Sequence, residues 1–238
     1  MQAVILIGGL GTRLRPLTYT IPKGLVEAAG RPFLEYELLY LKKFGVDKVL
    51  FLTGYLGEQI EARFPDGSIP GLEFTYSQEA SPLGTGGALK RALPLLKDEF
   101  FLLNGDTLLP ADYGKLREAL VKFPGLVLLS AFPVAGSGID PNLAIGEEKK
   151  VMGYGDSGGT YVDAGVGIFK KAIADYFPEE EKFSLEDRVY PELIRQGLLG
   201  YFPVEEYYYD IGTPARLRKF ENFIQGPGAD LFDIGNGE

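Results

Sequence analysis

Apolar residues in this chain fall into short continuous runs, separated by stretches whose apolar positions recur at helical spacing. The run Ala3-Val4-Ile5-Leu6-Ile7 is largely β-branched and has no polar interruption, the pattern of a strand covered on both faces of a parallel sheet. Residues 48–53, the run Phe100-Phe101-Leu102-Leu103 and residues 126–132 repeat it. By contrast, Leu72-Glu73-Phe74-Thr75-Tyr76-Ser77 alternates, which predicts a more edge-like strand. Between these runs, Leu34, Leu38 and Leu41 share one face of a helix predicted over 32–44, with Gly45 as its C-cap. Further helices are predicted over 58–64, 88–96 and 113–123, the last capped by Asp112. Repeated strand–helix–strand spacing predicts an α/β fold, a parallel sheet with helices on both sides.

The second half is less regular. Residues 142–154 read as a hairpin whose charged turn, 147–150, is a solvated loop. A strand is predicted over 162–169, with Asp163 near its start, then helices over 170–176 and 185–196. Tyr207, Tyr208 and Tyr209 read as alternating sheet residues ahead of a helix over 215–224, which Thr213 caps and Pro214 opens. One domain is expected over 1–225, with a Gly-rich acidic loose tail over 226–238.

Chemistry concentrates where the first strand ends, in Gly8-Gly9-Leu10-Gly11-Thr12-Arg13-Leu14-Arg15-Pro16, with Lys23 following. Three glycines let the backbone approach a ligand with its N–H groups exposed, and Arg13, Arg15 and Lys23 lie within one loop length of that surface. The loop suits a polyphosphate, but it is neither of two familiar phosphate loops. No lysine follows the glycines as a P-loop requires. Leu14 stands where a dinucleotide-binding turn needs its third glycine, and the second strand ends at Leu52-Thr53-Gly54 without a carboxylate. A second glycine-rich stretch, Pro82-Leu83-Gly84-Thr85-Gly86-Gly87, is tight enough to approach a planar ring, with Gln78 and Thr85 as hydrogen-bonding groups for a base edge. Asp106, in Asn104-Gly105-Asp106, projects at the carboxyl end of a buried strand, where open α/β sheets bind ligands. Asp210, just before the last helix, is a second candidate metal ligand opposite it.

Composition narrows the mechanism. The chain of 238 residues has no Cys and no His, which excludes disulfides, Cys- or His-ligated zinc, cysteine or Ser-His-Asp nucleophiles and histidine acid–base catalysis. Carboxylate, lysine, arginine, tyrosine and hydroxyl chemistry remains, with a hard cation held by oxygen ligands. The net charge of -9 argues against nucleic acid and anionic membranes as partners, so a polyanionic substrate needs a local basic pocket. No apolar run is long enough to span a bilayer, and a cytoplasmic location is expected.

Taken together and in order, Gly-Gly-x-Gly-Thr-Arg-Leu-x-Pro-Leu-Thr with Pro22-Lys23, Pro-Leu-Gly-Thr-Gly-Gly, Asn-Gly-Asp and Asp-Ile-Gly-Thr-Pro closely resemble the sugar-1-phosphate nucleotidyltransferases over residues 1–224. The resemblance is strongest to heptose- or mannose-1-phosphate guanylyltransferases and to short bacterial uridylyltransferases. It implies a Rossmann-like fold with a small β-rich acceptor-binding insertion at about 134–210. The implied reaction joins a nucleoside triphosphate to a sugar 1-phosphate by guanylyl or uridylyl transfer, in a monomer or homo-oligomer. It further implies that Arg13 grips the β- and γ-phosphates, Lys23 meets the α-phosphate, and Asp106 and Asp210 hold Mg²⁺. Gly8, Gly9, Gly11 and Thr12 would line the phosphates and ribose, Gln78, Gly84 and Thr85 would read the base, and Asp163 and Gly165 would meet the acceptor. One departure stands out. Where many members carry Glu-Lys-Pro, whose lysine meets the sugar phosphate, this chain has Tyr154-Gly155-Asp156-Ser157, and Asp163 replaces an asparagine. Lys149 and Lys150 are the candidate substitutes. The alternatives are a non-catalytic nucleotide or nucleotide-sugar sensor, and a phosphocholine cytidylyltransferase with Tyr207, Tyr208 and Tyr209 as an aromatic cage.

Overall fold

In the computed structural model, which describes residues 1–155 and 158–232, the continuous apolar runs form the centre of a nine-stranded mixed sheet. Strand β1 (Gln2–Ile7) lies between β2 (Lys48–Thr53) and β4 (Glu99–Asn104), parallel to both, and β3 (Glu73–Gln78) closes that edge parallel to β2. The alternating strand is therefore the edge strand, as its pattern predicts. On the other side of β4 runs the long antiparallel strand β8 (Tyr161–Lys170). It pairs next with β5 (Val127–Pro133), and β5 with the parallel β9 (Leu199–Pro203). A hairpin of β6 (Leu143–Ile145) and β7 (Val151–Tyr154) joins the start of β8 through Tyr161 and Leu143.

Strand alternation sends successive side chains to two separate cores. Ile5, Phe51, Phe101 and Leu103 pack with Leu38 of α1 (Phe33–Lys43), Ile60 of α2 (Gly57–Arg63), Leu116 of α4 (Tyr113–Lys122) and Phe220 of α7 (Pro214–Ile224). Val4, Leu50, Phe100 and Leu102 face the opposite way, onto Leu89 of α3 (Gly84–Arg91), Leu185 of α5 (Leu185–Arg188) and Leu193 of α6 (Tyr190–Arg195). Helices thus cover both faces. Asp112 and Thr213 cap α4 and α7 through Oδ1 and Oγ1, accepting from Lys115 and Arg216 N–H groups at 3.1 and 3.3 Å.

Several expectations need correction. The helix expected over 88–96 begins four residues earlier, at Gly84, and ends at Arg91, followed by a 3₁₀ turn at Leu93–Leu95. Pro94 has no N–H to return to Lys90, which stops the α-helix. The helix expected over 185–196 is broken into α5 and α6 ahead of Pro191 for the same reason, and 170–176 is a 3₁₀ helix, Lys171–Tyr176. Within the 134–210 stretch, β8 and the β6–β7 hairpin continue the main path of the sheet, and β9 branches from it through β5. The loose tail is also corrected in its first part. Ala229–Phe232 forms a 3₁₀ turn, with the Phe232 ring 5.2 Å from that of Tyr36 and only 8% exposed. Residues 233–238 lie outside the described residues, as do Asp156 and Ser157 at the departure from the Glu-Lys-Pro pattern.

Candidate active site

The parallel strands β1, β2 and β4 end on the same side of the sheet, and the site is built on those ends. β1 delivers the glycine loop and β4 delivers Asn104, Gly105 and Asp106, the two ends tied by the Gly105 N–H donating to Leu6 O at 2.9 Å. Thr18 Oγ1 donates to Gly11 O at 2.7 Å and pins the loop from behind. Among the described residues, none accepts from the N–H groups of Gly9, Leu10 or Gly11, which leaves three backbone donors for a ligand. Lys23, on the 3₁₀ turn Lys23–Leu25, forms an ion pair with Asp106. With side chains 14% and 29% exposed, the pair is partly shielded from solvent screening.

The second acid arrives through a two-stranded ribbon. Tyr209–Asp210 pairs antiparallel with Thr107–Leu108, Asp210 stands opposite Thr107, and the Ile211 N–H donates to Asp106 O at 3.0 Å. Asp106 and Asp210, far apart in sequence, thereby line one polar cavity of about 330 Å³ together with Arg13, Asn142, Asp163, Tyr208 and Arg216. Asp210 accepts from the Gly212 N–H at 2.8 Å, and both its oxygens accept from Arg216 Nη1, at 3.1 and 3.0 Å. Gly212 is where Arg13 comes close. A Cβ there would stand 3.3 Å from Arg13 Nη2 and 2.7 Å from Asp210 Oδ1, so any side chain would wedge the two apart.

A larger cavity of about 540 Å³ adjoins the first, between the glycine loop and the start of α3. Gly8, Gly9, Gly11 and Thr12 line it, as do Lys23, Glu79, Gly84 and Thr85, while Arg13 and Asp106 line both cavities. The structure therefore brings the predicted phosphate and acid residues together. It does not do so for all. Gln78 is exposed and lines neither cavity. It shares strand parity with Phe74 and Tyr76, which face the α1 side, whereas Glu79 turns toward the cleft, with Oε2 accepting from the Leu83 N–H at 3.0 Å. That parity was the signal for Glu79 in the sequence. Thr85 lines the cavity, but its hydroxyl donates to Glu186 Oε2 at 2.6 Å and accepts from the Leu185 N–H at 2.9 Å, so it is committed to α5 rather than to a base. Gly84, at φ +78°, lines the cavity and also lets the Phe183 carbonyl approach, 2.6 Å from where a Cβ would stand. Arg15 lies outside both cavities, its guanidinium 4.9 Å over the Tyr19 ring.

In the polar cavity, Asp163 accepts from the Gly165 N–H at 2.9 Å and from Tyr154 Oη at 3.1 Å, while its own N–H donates to Asn142 Oδ1 at 2.8 Å. Burial, with the nearby Glu186 charge adding to it, lifts the Asp163 carboxyl to about 6 despite those two donors. Lys150 pairs with Glu148 at 2.7 Å and the Lys149 ammonium lies 6.0 Å from the Phe202 ring, so neither candidate substitute reaches either cavity. Two of the three tyrosines are also engaged. Lys219 Nζ sits 3.6 Å from the Tyr207 ring centroid and Tyr209 stacks on Phe223 at 4.0 Å. Tyr208 alone of the three lines the polar cavity, and one ring is not a cage. Asn142 and Arg216 complete that cavity and escaped the sequence reading, because only the tertiary structure brings the hairpin and α7 together there.

Among the described residues there is no group of three or more Asp, Glu, His or Cys placed to hold a metal ion. Asp106 and Asp210 form instead a two-carboxylate set of hard oxygens, the kind Mg²⁺ takes together with substrate phosphates and water.

Comparison with known proteins gives a consistent result. A family model described as nucleotidyl transferase matches residues 2–134. The chain is 36% identical over 234 residues to a D-glycero-alpha-D-manno-heptose 1-phosphate guanylyltransferase of Aneurinibacillus thermoaerophilus, covering 94% of this chain and 99% of the relative. It is 30% identical over 223 residues to an N-acetylmuramate alpha-1-phosphate uridylyltransferase of Neisseria meningitidis, covering 92% and 96%. A crystal structure of HddC from Yersinia pseudotuberculosis complexed with GMP-PN superposes with a TM-score of 0.79 at 31% identity, covering 92% of this chain and 96% of that one.

Proposed function

The chain belongs to the nucleotidyl transferase family, and from that premise we propose that it condenses GTP with a hexose or heptose 1-phosphate, releasing pyrophosphate, with Mg²⁺ as cofactor. The observation that carries the proposal is a pair of adjoining cavities that share Arg13 and Asp106, the larger lined by Lys23 and free backbone N–H groups and the smaller, polar and acidic, by Asp210 and Arg216. The triphosphate takes the larger cavity and the sugar 1-phosphate the smaller.

In the reaction a phosphate oxygen of the acceptor forms a bond to the α-phosphorus, the bond from that phosphorus to the β-bridging oxygen breaks, and its electron pair leaves with pyrophosphate. The second pKa of a phosphate monoester is about 6, so the attacking oxygen is already anionic near neutrality and needs no general base. A chain without histidine lacks nothing for this step. Catalysis then rests on placing the two phosphates in line and offsetting their charge. Arg13, lining both cavities, spans donor and acceptor, and Lys23 lines the triphosphate cavity, paired with Asp106, which lines both. Asp106 and Asp210 are the residues that would hold Mg²⁺, which when bound supplies positive charge to the phosphates.

Glu79 favours guanine. Guanine presents N1–H and the exocyclic N2–H side by side, a pair that a carboxylate accepts through both oxygens, whereas uracil flanks its single N–H with carbonyls that a carboxylate repels. The guanylyltransferase relatives point the same way. The test is pyrophosphate release over a grid of nucleoside triphosphates and sugar 1-phosphates. GTP with a hexose or heptose 1-phosphate should give the highest rate, and Glu79→Gln should narrow the GTP:UTP ratio of kcat/KM by about 10-fold or more. A grid without pyrophosphate release overturns the transferase reading.

A further inference from the structure

We propose that Arg216 is the residue that binds the phosphate of the acceptor, a task for which the sequence offers no lysine in the polar cavity. The inference rests on the assignment of that cavity to a sugar 1-phosphate. A phosphate monoester carries close to two negative charges at neutral pH, and here it would enter a space already walled by Asp106, Asp163 and Asp210. Entry against three acids requires cations at the same wall. Among the described residues the cavity is lined by two, Arg13 and Arg216. Arg13 also lines the larger cavity, so the triphosphate shares it, and Arg216 is the cation that belongs to the acceptor side alone.

Its geometry suits the task. Arg216 lies in the first turn of α7, where the Thr213 cap fixes its backbone, while its side chain is 52% exposed and lines the cavity. Both hydrogen bonds to Asp210 come from Nη1, and among the described residues none accepts from Nε or Nη2. A guanidinium presents five N–H donors in a planar fork, so Arg216 can hold Asp210 with one nitrogen and grip a phosphate with the others. The acceptor phosphate is thereby set beside Asp210, at the junction with the triphosphate cavity, where the in-line attack must begin.

The experiment compares the wild type with Arg216→Ala and Arg216→Lys, using the sugar 1-phosphate that gives most turnover. In Arg216→Ala, KM for the sugar phosphate should rise about 10-fold or more with KM for GTP within about 2-fold, and Arg216→Lys should recover part of the loss. Calorimetric titration with mannose 1-phosphate should show the same weakening without turnover. If Arg216 served only to hold Asp210, the alanine variant would change the Mg²⁺ requirement and leave the sugar-phosphate KM in place, which overturns the proposal. Equal binding of mannose 1-phosphate by wild type and Arg216→Ala overturns it too, as does a wild type that binds no sugar 1-phosphate. A wild type that binds mannose 1-phosphate but releases no pyrophosphate with any pair defeats the transferase reading instead, and the titration still decides the role of Arg216.

Discussion

Lys23 and Asp106 hold each other in the larger cavity, and in the proposed reaction each takes a second task when phosphates arrive. Lys23→Ala should lower kcat by about 10²–10³-fold, the range found when one donor to developing charge is removed. The thermal midpoint should move by only a few degrees, because the pair is partly exposed to water. Asp163 gives a pH signature. Its carboxyl is raised from an ordinary 3.8 to about 6, chiefly by burial, so the folded state binds its proton more tightly than the unfolded chain does. The stability it contributes is full below about pH 4 and is lost as the pH rises through about 6. Asp163→Asn should therefore stabilise the protein at pH 8, by at most ~3 kcal/mol, and make no difference near pH 4, as urea midpoints at the two pH values would show. At this scale the sequence was readable where a residue's neighbours in the chain are also its neighbours in the site. Gly8 to Arg13 and Asp106 sit on turns that follow buried strands, Lys23 sits on a 3₁₀ turn in the same N-terminal stretch, and their motifs singled them out. Glu79 and Gln78 differ by one residue and point to opposite faces, so a motif that includes both cannot choose without the strand's parity.

The elements beneath these residues explain a second group of differences. Gly84 to Gly87 look like a loop because glycine is a poor helix former, yet they form the first turn of α3. The Gly86 and Gly87 N–H groups both donate to the Phe183 carbonyl at 3.1 Å, and the missing side chains let that segment lie against the helix. Gly84→Ala meets two obstacles, a positive φ and the Phe183 carbonyl. It should destabilise the fold by about 1–3 kcal/mol in chemical denaturation. The breaks at Pro94 and Pro191 were visible in the sequence as prolines, but apolar spacing continued through them and masked the interruption. Strand β9 went unpredicted because Gly200 and Pro203 weaken its pattern, and its pairing with β5 supplies what its composition does not.

For the whole molecule, the helices on both faces and the edge position of the alternating strand followed from runs and alternation, since a central parallel strand must be apolar on both faces and an edge strand need not be, whereas the order of strands came only from the structure. What alternation could not show was where the chain stops contributing. Phe232 packs near Tyr36 and Tyr40, and Phe232→Ala should cost about 2–4 kcal/mol in urea denaturation, a loss that a residue on a loose tail would not produce. Among the described residues no helix is long and apolar enough to cross a membrane. Strand β8 has the widest consequence. Its first residues carry Asp163 into the polar cavity, and Val166 to Lys170 then pair with β4, the strand that leads to Asp106. A single span of backbone thus joins the Asp163 wall of the polar cavity to the strand that leads to Asp106, and the ladder between them resists opening like jaws. If the polar cavity takes the sugar 1-phosphate as proposed, choice among sugars is made by the outline of a firm mould, and a graft of the 142–154 hairpin, whose Asn142 lines that cavity, from a relative with another sugar preference should transfer that preference while leaving the choice of nucleotide untouched.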